Sequence, residues 1–374
     1  MHYFTFADKD TTLYQASSSL NAGLDEILEI RKDISDTGAT VNTSRILIKF
    51  DLSYISGSIA AGTIPVPSKI STSGSRYYLN LYDAHPSGLA TSQVLYAHPV
   101  SGSWTMGDGH SYDNPVTTEG SSWTYRYGKI AGTLWTTVSA SGGQWFSGSG
   151  YEASQSFDRK TIDVRMEVTD IVKSWLSGSL INEGFMIKRS GSIGNTVTGS
   201  DEGDTTRYGN FSFFSTDTHT KYPPTLETVW DDSKWTTGSL SPLTGSALED
   251  SVLYMKGLRT EYKEKSKVRF RVVGRERFPT KTYSTTPSNL TVKYLPSTSS
   301  YYSIVDAETE DVIVPFGSGS KLSCDSIGNY FNLWLDGYQP ERYYTIHYRV
   351  VSGSGTVDEL DQYFDEGFTF KATL

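Results

Sequence analysis

The side chains best able to ligate a metal or move protons in this 374-residue chain are six histidines: His2, His85, His98, His110, His219 and His347. None stands in an H-x-x-x-H or H-x-H spacing, which would put two imidazoles on one face of a helix or strand. The sequence has no G-x-S-x-G elbow, no phosphate-binding glycine loop and no dinucleotide fingerprint. Its single cysteine, Cys324, excludes an intrachain disulfide and a multi-cysteine zinc site, and reads as a buried core thiol. Acids are plentiful, 42 in all, but a glycosidase pair is defined by a separation in space of about 5 to 9.5 Å, not by spacing in sequence. The residue pattern therefore points away from an enzyme, and no cofactor is expected.

Two other chemistries are written more clearly. Asp108-Gly-His-Ser-Tyr-Asp-Asn114 gathers hard oxygen donors in a glycine-containing loop, which is what calcium takes. Asp108 and Asp113 are the candidate ligands, although the spacing is not that of an EF-hand. Asp201-Glu-Gly-Asp204 is similar. The competing reading of both is a turn in which Asp and Asn bond their own backbone. Four tryptophans, Trp104, Trp123, Trp135 and Trp145, follow one another through an aromatic, glycine-rich region. Flat aromatic faces suit the apolar faces of sugars, and they equally fill cores and interfaces. Trp135 and Trp145 are the candidates for saccharide binding.

These residues need strands to carry them. Arg45-Ile-Leu-Ile-Lys-Phe-Asp-Leu52 alternates, with Ile46, Ile48, Phe50 and Leu52 on one side and Arg45, Leu47, Lys49 and Asp51 on the other. A period of two predicts a central, half-buried β-strand. Shorter strands are expected at Asp8–Tyr14, Glu26–Arg31, Arg76–Asp83, Gly184–Arg189 and Gly209–Ser215. Residues 53–75 are polar, with Gly and Pro, and read as a loop. One helix is predicted, with Thr169 as N-cap, Asp170 in its first turn, Ile171, Val172 and Trp175 on one side, and Gly178 at its end.

The order of these motifs carries a resemblance. An Asp-x-x-Thr-like opening leads to Arg45-x-x-x-Lys-Phe-Asp-Leu52. A Leu-x-Leu-Tyr strand, Trp104 and Trp123, Val168-Thr-Asp-Ile-Val-Lys-Ser-Trp175, a Phe-x-Phe-Phe-Ser segment and a final Pro-x-Leu follow. Across residues 3–231 the chain resembles the DNRLRE-type, disaggregatase-related β-sandwich domain, which is also treated as a carbohydrate-binding module. The resemblance implies a jelly-roll-like sandwich, with Trp104 and Trp123 in structural positions.

Beyond Gly238-Ser-Leu-Ser-Pro-Leu-Thr-Gly245 a second β region begins. Lys267-Val-Arg-Phe-Arg-Val-Val273 alternates basic and apolar residues. Asn289–Tyr294 and Tyr302–Val305 read as strands, Asp306–Asp311 as an acidic loop. Asn329–Leu335 and Tyr343–Val351 read as a hairpin turning at Asp336–Glu341. The expected architecture is all-β: a jelly-roll-like sandwich with one short helix over residues 1–236, a linker at 237–246, and an antiparallel sandwich over 247–374.

A net charge of -9 argues against a general nucleic-acid binder. No apolar run approaches the ~18 residues of a membrane span. The start, Met1-His-Tyr-Phe-Thr-Phe-Ala-Asp8, has neither the basic residues nor the apolar run of an export signal. Multiple β domains, abundant Tyr, Ser, Thr and Gly, and Ser-Gly-punctuated strands such as Phe316–Ser320 make the whole chain similar to virion structural proteins of tailed bacteriophages. That similarity implies a tail, neck, fibre or capsid-decoration role, assembly in a host cytoplasm, contacts with other virion proteins, and a homo-oligomer. A surface glycan is the alternative partner.

Overall fold

The computed structural model describes the chain except residues 35–40, 113–118, 129–131, 136–141, 159–161, 192–200, 244–247, 249, 280–282, 284–285, 287–290 and 353–359. The protein is all-β. It divides into two compact units, one of Phe4–Thr228 and one joining Met1–Tyr3 to Val229–Leu374.

The Phe4–Thr228 unit is built on β1 (His2–Tyr14), β2 (Ile27–Ile34), β3 (Val41–Phe50), β4 (Arg76–Leu81), β5 (Gln93–Pro99), β6 (Tyr125–Tyr127), β7 (Thr133–Leu134), β8 (Ala153–Phe157), β9 (Val164–Glu167), β10 (Phe185–Lys188), β11 (Gly209–Phe214) and β12 (Thr225–Val229). Ten of these form one sheet in the order β8-β5-β10-β3-β1-β12-β4-β9, with β2 and β11 branching from β3. The sheet curls. Gln155 on β8 donates to the Asp163 carbonyl and accepts the Arg165 amide on β9, which brings the two ends of the strand order together.

The anchor strand β3 pairs antiparallel with β1, β10 and β2. Ile46, Ile48 and Phe50 are buried, as alternation predicts. Phe50 meets Phe185 edge-on at 6.1 Å, and Trp175 of the helix meets Phe185 at 4.6 Å. The opposite side of β3 is largely covered as well, beyond the half-buried expectation: Arg45 and Leu47 are as deeply buried as Ile46, and among the described residues of that side only Lys49 is partly exposed. Leu47 joins Leu13, Val100, Met186 and all four tryptophans in a second core. The glycine-rich region that carries those tryptophans covers this side of the strand.

Among the described residues two α-helices occur where one was expected. α1 (Ser53–Ala60) forms inside the segment read as a loop, because Asp51 accepts the Ser53 amide at 2.9 Å and Ile55 is buried. α2 (Thr169–Leu176) is the predicted helix, with Ile171, Val172 and Trp175 buried. Its N-cap is Val168, not Thr169. The Thr169 hydroxyl accepts the Tyr77 amide at 3.0 Å and so ties the helix to β4. Gly178, at φ +75°, ends it in the left-handed conformation.

The second unit has two sheets. One runs β13 (Ser241–Pro242), β17 (Lys293–Tyr294), β16 (Lys267–Glu276), β21 (Gly328–Trp334), β20 (Ser323–Asp325), with β14 (Ser251–Met255) on β16. The other runs β15 (Glu261–Lys263), β23 (Leu360–Thr373), β22 (Tyr343–Ser352), β18 (Ser300–Asp306), β19 (Val312–Val314). Its core lies between them: Phe331 of one sheet stacks on Tyr302 of the other at 4.0 Å, and Phe270 lies 5.1 Å from Phe370. β13–β17 and β15–β23 are parallel pairs, while the other strand pairs of the two sheets are antiparallel. The expected hairpin is absent. β21 pairs with β16 and β20, while β22 pairs with β18 and β23, so residues 335–342 cross between sheets. The expected linker is likewise part of this unit: Ser241–Pro242 pairs with β17 and Leu243 is fully buried. Residues 244–247 of it, and Asn289–Leu290 of the expected strand, lie outside the described residues. Among the described residues no helix is long and apolar enough to cross a membrane.

Candidate functional site

Arg45 places a charge where its strand would otherwise bury an apolar side chain. Burying a guanidinium requires a carboxylate and satisfied N–H groups. Glu202 supplies the carboxylate: Arg45 Nε donates to Oε1 at 3.1 Å and Nη2 to Oε2 at 2.7 Å, with both side chains fully buried. Nη1 donates to the Gly142 carbonyl at 2.7 Å. The guanidinium lies 4.8 Å from the Trp123 ring and 4.9 Å from Trp145, a stacked arrangement that favours a desolvated cation. Gly142 has to be glycine. Its φ is +87°, and a Cβ would stand 2.5 Å from Arg45 Nη1 and 2.7 Å from the Trp123 ring.

A second buried cation shares the same anion. Lys188 Nζ is 3.4 Å from Glu202 Oε2, lies 5.0 Å from the Trp145 ring and donates to the Arg189 and Gly191 carbonyls. Burial, with Arg45 beside it, lowers the Lys188 pKa to about 8, against the pull of Glu202. Burial and the Lys188 charge lower that of His98 to about 4, so His98 is a neutral imidazole at pH 7.

Over this cluster opens a cavity of about 530 Å³, lined by Tyr96, His98, Trp145, Glu152, Lys188 and Ser190 among others. The Tyr96 and His98 rings are near-parallel at 6.3 Å, and His98 tilts against Trp145 at 6.1 Å. His98 Nδ1 lies 3.2 Å from the Tyr151 carbonyl, and Nε2 lies 3.9 Å from Glu152, whose side chain is half exposed. The cavity thus has an aromatic wall, a buried cation at its base and a carboxylate at its rim.

The saccharide candidates fall differently from the expectation of a free platform. Trp135 is buried at 2% exposure, its Nε1 donating to the Ser122 carbonyl at 2.8 Å. Trp145 is buried at 9% and touches the cavity only as part of its wall. Trp104 and Trp123 are core residues too, and Lys9 stacks on Trp104 at 4.1 Å. Tyr96 and Glu152 are cavity residues that the sequence does not single out, and His98 enters the sequence reading only as one of six histidines without metal spacing. Tyr96 and His98 share one side of β5 two residues apart, which alternation alone could have paired.

For the calcium candidates, Asp108 is exposed and Asp113 lies outside the described residues. The loop beginning at Gly107 is held by protein groups. Buried Asn21 accepts the Gly109 amide at 2.8 Å and donates to the Met106 and Ser121 carbonyls, while Asp25 accepts the Ser111 amide at 2.9 Å. Among the described residues no group of three or more His, Cys, Asp or Glu is placed to hold a metal ion. Cys324 is buried, and burial raises its thiol pKa to about 11, out of the nucleophilic range.

In comparison with known proteins, no family model matches this chain and no curated protein aligns with it.

Proposed function

We propose that this chain is a non-catalytic structural protein of a tailed-bacteriophage virion, working through protein–protein contacts in a tail, neck, fibre or capsid decoration. The observation that supports the reading best is the burial of Trp104, Trp123, Trp135 and Trp145 in one internal cluster. Aromatic surface that a free-standing lectin would present to sugar is used here to hold a sheet and its covering loops together. The aromatics left on the outside are scattered and include Phe278 and the tyrosines Tyr54, Tyr112, Tyr343 and Tyr363, tyrosine being a residue type that gives large contact area at low entropy cost. The test is a proteomic inventory and reconstruction of virions from the native source. The chain is expected in stoichiometric copies per particle; its presence only as a soluble surface lectin would overturn the proposal.

The cavity over Arg45 and Glu202 favours a second reading, a saccharide-binding module. Tyr96 and His98 offer a stacking wall, and Glu152 and Ser190 offer hydroxyl partners. Glycan-array binding that is lost in Tyr96→Ala and Glu152→Gln, with unfolding unchanged, would favour this reading. No binding to any glycan would remove it.

A further inference from the structure

The alternating segment Lys267-Val-Arg-Phe-Arg271 does something specific in the folded unit. Its apolar members turn to the core and its cations stand outward on β16, opposite β21 in the register Lys267↔Trp334, Arg269↔Asn332 and Arg271↔Tyr330. Lys267 Nζ lies 4.8 Å from the Trp334 ring, and the Arg269 and Arg271 guanidinium carbons lie 4.2 and 5.5 Å from Tyr330. Arg271 is neutralised by a two-pronged pair with Asp325 at 2.9 and 2.8 Å. Lys267 and Arg269 are exposed, and neither makes a salt bridge among the described residues; Arg269 Nε donates to the Asn332 amide oxygen at 3.1 Å, and its charge also acts on Asp325, which Arg271 holds. In a chain of net charge -9, this is a preorganised pair of cations that no salt bridge among the described residues neutralises.

The same unit carries the complementary feature on its other sheet. The turn between β18 and β19 holds Asp306, Glu308, Glu310 and Asp311. Arg342 pairs with Asp306 at 2.7 Å and Glu308 at 3.1 Å. Glu308 and Glu310 are exposed, and Glu310 sits at φ +60°, where the tight turn presents it outward. The two cations stand two residues apart on a strand, roughly 6.7 Å from one to the next.

We propose that Lys267 and Arg269 dock the acidic turn, Glu308 and Glu310, of a second copy of this chain. The contact rests on the particle-assembly reading above and gives it a place on the surface. The two patches are different, so the contact is head-to-tail and builds a ring or an open filament, not a two-fold dimer. Cations already stacked on aromatic rings lose less freedom on pairing than free ones, which favours this row over the protein's scattered lysines.

The test uses the full chain. Sedimentation velocity should show self-association that weakens with salt. Zero-length carbodiimide cross-linking of the wild type should join Lys267 to Glu308 or Glu310 between copies. Lys267→Glu with Arg269→Glu, and separately Glu308→Lys with Glu310→Lys, should each weaken association at least tenfold, with unchanged circular dichroism. Mixing the two variants, or combining all four changes in one chain, should restore it. A wild type that stays monomeric at every concentration and gives no such cross-link overturns the contact. Association that persists in both variants also overturns it and leaves assembly through another surface standing. The virion inventory tests the assembly reading separately.

Discussion

Each unit of the molecule sets cations on aromatic rings, and the two arrangements differ in their access to water. In the Phe4–Thr228 unit, Arg45 lies between Trp123 and Trp145 with no exposure, and two of its nitrogens are bound to Glu202. In the other, Lys267 and Arg269 stand over Trp334 and Tyr330 with their outer edges exposed. The attraction between cation and ring is the same in kind. Its consequence is set by what else must be satisfied. A desolvated guanidinium forces a carboxylate, a glycine and a carbonyl into fixed places, so it specifies structure. A half-solvated one leaves hydrogen-bonding capacity for a partner.

The largest effect should follow from breaking the buried member. Glu202→Ala leaves Arg45 and Lys188 buried with no anion between them, and truncating one side of such a cluster costs about 3–5 kcal/mol. Urea unfolding measures it. A loss below about 1 kcal/mol would mean that the cluster is hydrated and that burial does not govern its energetics. Phe50→Ala, on the other side of the same strand, removes a ring packed on Phe185 and should cost about 3–5 kcal/mol by cavity formation. A similar loss from two unlike changes would establish that both sides of β3 are core.

A third experiment asks what burial does to a charge given no cation. Asp10 is fully buried on β1; its Oδ2 accepts the Thr216 amide at 2.8 Å, and no cation pairs with it among the described residues. Burial, with the charge of Asp217 nearby, raises its pKa to about 7. Between the unfolded carboxyl value near 3.8 and about 7, the folded chain holds a proton that the unfolded chain has released. Stability therefore falls as pH rises through that window, by at most about 1.4 kcal/mol per pH unit from this group. Asp10→Asn should remove the slope, with the gap to wild type widening from pH 4 to 7 and then holding constant. Parallel pH dependences in the two proteins would contradict the assignment.

Alternation made the strands legible, because side chains of period two leave a trace in eight residues of sequence. That trace shows which residues share a side, not which sides are covered. Arg45 and Lys49 stand on the same side of β3 and look equally solvent-bound; only the packing of a distant glycine-rich region separates them, burying the first and leaving the second half-exposed. Glu202 reads in sequence only as part of an acidic segment, a calcium candidate or a turn, because its partner lies 157 residues away. Asn21, which ties Gly109 to the Met106 and Ser121 carbonyls, is hidden in the sequence for the same reason: these partners lie 85 to 100 residues away. The expected hairpin of β21 and β22 failed because a short polar connection can turn within a sheet or cross between sheets, and the residues of the turn do not distinguish the two.

The smallest effect is the one that completes the comparison. Lys267→Gln with Arg269→Gln removes two cations from rings that are themselves buried beneath them, Trp334 at 5% and Tyr330 at 7% exposure. If exposure decides the outcome, the unfolding free energy should change by less than about 1 kcal/mol, since solvated charges gain little from their neighbours and retain water when the chain unfolds. The glutamines keep most of the aliphatic cover over the rings, so the measurement isolates charge from packing. Urea unfolding at low and high salt checks both halves, because a purely electrostatic contribution shrinks as salt rises. A loss of 3 kcal/mol or more would place these two cations with Arg45 as structural, and would remove the reason to regard their outer edges as free for another chain.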